Sequence, residues 1–493
     1  MYRRGHTGRV NVVGAGPNGL AAAVVLARAG ISVRVFEAED TPGGGARTEE
    51  LIEPGTVHDV CSAIHPSAFA SEFFCRFALT ERVAFVVPDA SFAQLRLGSA
   101  SCVAYRDLER TASELGRSGA GWKRTFAPLV EEGRHLADLA MGDPRLALRA
   151  PGLALRLATR VGLDRVGYLR GASADLLSGV SAHSAQPLST PSAAVTGLVL
   201  AAYGHSFGWP IPIGGSGRIV AAMVSDLESY GGEITTGFRV SCIDELPPAD
   251  ATVFDTSVRT MLRIGGREVP DRYGRVAARQ RPGPPVFKLD LVLDGPIPWN
   301  DAAVHEAGTV HIGQGRGEVA ARLQDVHRGR RPEHPFIILS QPTTYDPTRS
   351  PRGRTVVWAY AHLPKGDPGY GAGPWIRDEI ERYAPGFRDL IVRSRGVGPR
   401  ELEAKNENYV GGDIYSGALT PWQLAARPVL SGDPWRVANT SLYLCSSAAT
   451  PGPGVHGMGG FHAASSVLRN VYRDDRIPSL EPRRSPSGFR RSP

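Results

Sequence analysis

The chain has 493 residues, 42% hydrophobic and 21% charged, which excludes a wholly disordered chain, a coiled coil and a collagen. At about 150 residues per domain the length allows two to four domains. The net charge of +7 sits at the two ends: residues 1–9 carry +3, residues 476–493 carry +4, and residues 10–475 sum to zero, so no nucleic-acid partner is expected.

Arg9–Val13 is β-rich and apolar, and fits a buried strand. GAGPNG follows at once, then LAAAVVLARAG, helical in composition, with Gly30 at the position of a C-terminal cap. ISVRVFEA reads as a second strand ending at Glu37, which completes a βαβ unit. Residues 91–205 lack α/β alternation and read as mostly helical. Ser216 is expected to cap a helix with Ile219, Ala222, Met223 and Leu227 on its apolar face, ended by Gly231 and Gly232. Residues 238–243 alternate like a strand. PVFKLDLVLD (285–294) and RTVVWAYAHL (354–363) read as strands separated by a long loop. SLYLC (441–445) is a further strand, followed by a Gly/Pro loop and a small-residue helix over about 457–472. Pro, Arg and Ser dominate from Arg476 onward, which predicts a disordered tail.

Gly14-x-Gly16-x-x-Gly19 follows a strand, opens a helix and has an acid, Glu37, 23 residues after Gly14. Gly14 allows the tight turn, Gly16 lets backbone approach a diphosphate, and Gly19 lets helix and strand pack. The helix N-terminus offers free N–H groups and a positive dipole end. Glu37 is expected to accept hydrogen bonds from both ribose hydroxyls, and it would repel a 2′-phosphate. PGGGARTE (42–49) adds a second glycine turn, with Gly44, Gly45, Ala46 and the cation Arg47 directed at the same diphosphate.

GAGPNGL, the strand ending in Glu37, and GGGARTE together resemble the FAD signature of the phytoene desaturase (carotenoid desaturase) branch of the amine oxidase superfamily. LYLCSSAATPGPGVHGMGGFHAA (442–464) and PIPIGGSGRI (210–219) resemble that branch too, with Ser446 where the family usually has Gly and Thr450 near a frequent His. The resemblance implies FAD held by Gly14, Ala15, Gly16, Pro17, Asn18, Gly19, Glu37, Ala38 and the 44–47 turn. It also implies an adenine contact at Val240. The amides of Gly457, Met458 and Gly459 are expected to face the N1–C2=O edge of the flavin ring, where a helix N-terminus stabilises the negative charge of reduction. Gly452-x-Gly454-x-x-Gly457 imitates a second dinucleotide motif, but no strand-ending acid follows it, so a second, NAD-binding domain is not expected.

His456, inside the flavin loop, is the first candidate for a catalytic side chain, ahead of His205, Tyr203, His58 and His65. No metal-binding cluster is evident. The five cysteines lack zinc or redox spacing and read as reduced thiols of a cytoplasmic protein. The glycines after Val13 interrupt any export signal, and no run of 18 apolar residues offers a membrane span. Residues 145–170 carry six arginines and one acid. They read either as a peripheral membrane helix feeding a lipophilic substrate or as a solvated cover helix, and the Pro151-Gly152 break favours the second.

The expected fold is α/β: a Rossmann-like FAD-binding domain in three segments (1–90, 206–284, 406–475) with an inserted mixed α+β substrate domain (91–205, 285–405) and a disordered basic tail (476–493). The expected activity is FAD-dependent removal of a hydride and a proton from a small lipophilic molecule, with C–C desaturation favoured. The alternatives are a flavin amine oxidase and a non-enzymatic binder of the GDP-dissociation-inhibitor type.

Overall fold

A computed structural model describes residues 8–143, 150–350 and 353–482. Five parallel strands form one sheet in the spatial order Leu442–Leu444, Ala251–Phe254, Arg9–Val13, Ser32–Phe36, Glu233–Thr235. The register pairs Val12 with Val253 on one side and with Val35 on the other. The strands are short and nearly all apolar because both faces of a parallel sheet are covered. The sheet thus draws together residues more than 400 positions apart.

The helix Pro17–Arg28 follows the first strand, with Pro at its first position, where the missing N–H costs nothing. It is buried on nearly every side because the late helix Met458–Val471 lies directly against it. A Cβ on Gly460 would stand 1.8 Å from Asn18 O and 2.7 Å from Ala22 N. A Cβ on Gly459 would stand 2.2 Å from Cys445 O. The small residues of the last helix therefore serve backbone-to-backbone packing.

A second, seven-stranded sheet has the order Ile391–Val397, Val286–Leu293, Thr355–His362, Ile337–Ser340, Ala307–Ile312, Ala90–Gln94, Cys102–Tyr105. All its pairings are antiparallel except that of Ala307–Ile312 with Ala90–Gln94. One face carries Leu289, Val310, Leu339, Val357 and Ala359 into an apolar core. The opposite face points towards the five-stranded unit.

Several expectations are corrected. The stretch 91–205 begins with two strands of the second sheet before its helices. The interval between the strands at 286–293 and 355–362 is not a long loop but holds two strands and the helix Gly315–His327. Residues 238–243 are not a strand: pairing ends at Thr235. Ser216 takes the N-cap position, but its hydroxyl does not cap the helix: it donates to Ser62 O at 2.5 Å and meets His65 Nε2 at 2.8 Å.

Pro151-Gly152 opens a helix, Pro151–Arg165, instead of breaking one. Within it Arg156 pairs with Glu132 and Arg160 Nε donates to Thr125 O at 2.8 Å, both on the neighbouring helix Gly119–Glu131 and its C-cap. Arg145 and Arg149 lie outside the described residues. The tail begins as ordered chain: Leu480 is buried, Arg28 Nη1 donates to Ser479 O and Glu481 O, and Arg82 Nη2 donates to Leu480 O. Residues 483–493 lie outside the described residues. No helix among the described residues is long and apolar enough to cross a membrane. The five cysteines are free thiols.

Candidate functional site

One cavity of about 500 Å³ is lined by residues of both sheets and their loops. Its first half runs along the ends of the parallel strands. Gly14, Gly16, Pro17 and Asn18 line it, as do Glu37 and Ala38, Gly44, Gly45, Ala46 and Arg47, and Val240 with Phe238 and Arg239. The loop Pro451–His456 reaches the same space. Motifs separated by more than 400 residues therefore share one wall, which is the geometry a dinucleotide requires.

The turn is built as its glycines require. Gly14 has φ +98°, and its N–H donates to Phe36 O, tying the turn to the second strand. A Cβ on Gly16 would meet Asp255 Oδ2 at 2.5 Å, and one on Gly19 would meet Gly14 O at 2.2 Å. Ala15 and Gly19 lie behind the wall instead of on it. Ala15 N–H donates to Glu37 Oε2 at 2.9 Å, and Gly19 N–H donates to Asp255 Oδ2 at 2.8 Å.

Glu37 is more heavily engaged than the sequence suggests. Besides Ala15, it accepts the Glu39 N–H at 3.0 Å and pairs with Arg47 Nη2 at 3.3 Å. A carboxylate has about four acceptor positions, so the ribose would share this group with the protein. Arg47 correspondingly spends its charge on Glu37 and its Nε–H on Thr41 O, not on a diphosphate alone.

Asp255, just past the strand Ala251–Phe254, was not anticipated. Burial pushes its pKa up to about 7; the amides of Gly19 and Gly16 oppose that shift, and the charge of Glu37 adds to it. The signal was an acid ending a strand of the second segment, but nothing local places that strand beside Gly14.

His456 lines the cavity, yet its Nδ1 accepts the Met458 N–H at 3.0 Å. Burial lowers its pKa to about 4. It is a neutral cap on the last helix, with the nitrogen that would take a proton already occupied. The expected amide row is corrected with it. Gly457, Met458 and Gly459 do not line the cavity, the Met458 N–H is taken by His456, and the wall at that point is Pro451–His456.

Of the other histidines, His65 lines the cavity and is held neutral by burial, with a pKa of about 4. His205 is turned away, accepting Trp122 Nε1–H at 3.1 Å. His58 packs against Asp290 and does not reach the cavity. Tyr203 does reach it.

A buried ion cluster ties the two halves together. Arg349, fully buried, reaches Asp59 at 2.5 Å and Asp346 at 3.0 Å. Burial alone would raise Asp59, but Arg349, the Ser216 N–H and Thr48 hold it below its usual range. Asp346 Oδ2 also accepts the Gly214 N–H at 2.7 Å. The cluster thus ties Asp59 and the 214–216 turn to the loop that follows the strand Ile337–Ser340.

The second half of the cavity rests on Val195, Val199 and Leu200 and on the inward face of the seven-stranded sheet, with Ile338, Ser340, Trp358 and Tyr360. The charged lining residues are Glu37, Glu39, Arg47, Arg239, Asp255, Lys405 and Glu407. All belong to the first half: Glu407 stands 3.6 Å from Arg239, and Asn408 Nδ2 donates to Asp255 O. Among the described residues no charged side chain lines the second half.

Residues 12–76 match the sequence profile of the NAD(P)-binding Rossmann-like domain. The chain is 26% identical to rat pyridine nucleotide-disulfide oxidoreductase domain-containing protein 2 over 93% of both chains. It is 27% identical to a phytoene dehydrogenase of Streptomyces griseus, over 89% of this chain and 87% of the relative. An engineered putrescine oxidase shares the fold with a TM-score of 0.59 at 15% identity, covering 95% of this chain and 99% of the other.

Proposed function

We propose that this chain is an FAD-dependent oxidoreductase of the phytoene desaturase-related group within the amine oxidase superfamily, and that it desaturates a carbon–carbon bond of a lipophilic molecule. The observation that carries the reading is the continuity of the dinucleotide cradle with a chamber whose walls are largely apolar and, among the described residues, carry no charged side chain. The cradle fits FAD: glycine positions that a Cβ would close, an acid past the second strand, and a second glycine turn facing the same space.

Bound FAD would supply the acceptor for the two electrons and, on full reduction, for both hydrogens that the desaturated bond gives up. The chain's part is positional. Val195, Val199 and Leu200 hold the carbon skeleton and exclude water. The imidazoles of His65 and His456, which line the same cavity, stay neutral through burial and add no positive charge to it.

Oxidation of a C–N bond is the second reading. The edge-to-face pair of Trp358 and Tyr360, with ring centroids 5.2 Å apart, favours it by offering aromatic faces to an amine. Against it stands the lack of a carboxylate among the described lining residues of that half. Anaerobic titration of the yellow holoprotein separates the two. Bleaching of the flavin by cyclic alkanones or alkenes, with none by primary amines, is the expected result; bleaching by amines alone would overturn the proposal.

A further inference from the structure

The inward face of the seven-stranded sheet carries a row of polar side chains at the substrate half. Thr309 pairs in register with Ser340, and Ser340 with Trp358, across three adjacent strands. Directly opposed residues project to the same face of a sheet, and all three line the cavity. Thr309 is 3% exposed, Ser340 1% and Trp358 9%. Ser340 Oγ and Trp358 Nε1 are both buried without a hydrogen-bond partner among the described residues. Tyr203 OH, on the helix Pro191–Ser206 that also lines this half, is in the same condition.

A buried donor left unmade costs about 1–3 kcal/mol. These atoms meet no partner among the described residues, and a bare hydrocarbon in the chamber would leave them so. An indole N–H can only donate, so what it needs is an acceptor. The acceptor is also neutral. The ionisable groups on this face of the sheet, among the described residues, include His362, held uncharged by burial, Lys288 and Asp290, which pair with each other opposite Tyr360 and Trp358 in register, and, with its neighbour His183, His311. The two imidazoles meet Nε2 to Nε2 at 2.8 Å and are held uncharged by burial. Among the described residues nothing on that face offers a free cation to a carboxylate or a free anion to an ammonium.

We infer that the substrate is an oxygenated lipophile whose carbonyl, ether or hydroxyl oxygen seats against the Thr309–Ser340–Trp358 row, and that hydrocarbons lacking such an oxygen bind more weakly. The inference rests on the reading of this half as the chamber for the molecule to be oxidised. Its chemistry narrows the class: the bond desaturated belongs to a skeleton already carrying oxygen.

The test uses the full-length holoprotein and matched probes of equal skeleton: bicyclohexyl against 4-cyclohexylcyclohexanone, decalin against 2-decalone, and axerophthene against retinal. Affinity is read by equilibrium dialysis and gas chromatography, which does not depend on flavin colour. The oxygenated member should bind at least about tenfold more tightly in one pair or more, the factor that about 1.4 kcal/mol represents. Trp358→Phe or Ser340→Ala should reduce that preference while leaving hydrocarbon affinity within about twofold. Absence of the preference in all three pairs, including failure of every probe to bind, overturns the inference, as does a preference unmoved in both variants. A colourless protein that keeps the preference would overturn the flavin reading alone; a yellow protein without it would overturn this inference alone.

Discussion

The carboxyl of Asp255 accepts the N–H of Gly19 at 2.8 Å, although 236 residues separate them in the chain. It therefore occupies part of the helix N-terminus that a diphosphate approaches. Its pKa of about 7 means the group is neutral through the acid range and ionises near neutrality. Between about pH 4 and 7 the folded protein holds a proton that the unfolded chain has released. Stability from this group is therefore full below pH 4 and falls by about 1.4 kcal/mol per pH unit up to 7. Asp255→Asn removes this dependence. The difference in Tm between variant and parent apoprotein should grow from pH 5 to pH 7 and then level off. FAD dissociation should likewise be faster at pH 8 than at pH 6 in the parent and even in the variant, because an ionised Asp255 repels the diphosphate.

His456 is placed as a cap, so His456→Ala should act through the helix. We expect a loss of about 1 kcal/mol or more in stability, the usual cost of a lost cap, and reduced FAD retention. Turnover per bound flavin should change by less than about threefold with no shift in pH profile. A thousandfold loss of turnover in fully loaded protein would instead assign it the chemistry.

Gly460→Ala should abolish assembly of the first half. The added methyl has no escape, since its nearest neighbours are the backbone of Asn18 and Ala22. Insoluble or colourless protein is expected, whereas Gly317→Ala, which meets nothing within 4 Å, should be silent in the same assay.

Arg349→Met leaves two buried carboxylates, Asp59 and Asp346, facing each other without their cation. Breaking a buried pair in this way costs about 3–5 kcal/mol. Urea unfolding of the variant should show that loss at pH 7, and the loss should shrink at pH 4 as the carboxylates take up protons.

A chain ending at Asp475 discards Leu480 and the carbonyls that Arg28 and Arg82 use. Its Tm should fall by several degrees with FAD content maintained. An unchanged Tm would show that the docked stretch contributes nothing.

Local pattern was enough for the βαβ unit, the glycine turns and the long strands at 286–293 and 355–362, because each depends on neighbours within a few residues. Gly14, Gly16 and Glu37 were readable for the same reason: their spacing reflects one turn and one helix. The row at Thr309, Ser340 and Trp358 was half visible. WAYAH alternates with period two, which places Trp358, Tyr360 and His362 on one face, but nothing in the sequence says that this face meets a cavity.

What the amino-acid sequence determined by itself was the dinucleotide cradle, because steric needs at glycine and the dipole of one helix are local. Tertiary structure alone decided the rest. It brought Asp255 onto the Gly19 amide, turned His456 from candidate base into cap, and gave the 457–460 glycines to helix packing. It also joined uncharged walls to a row of unmet donors. Each depends on contacts between strands and helices hundreds of residues apart, whose meeting is set by burial of the whole core and leaves no mark in any short stretch.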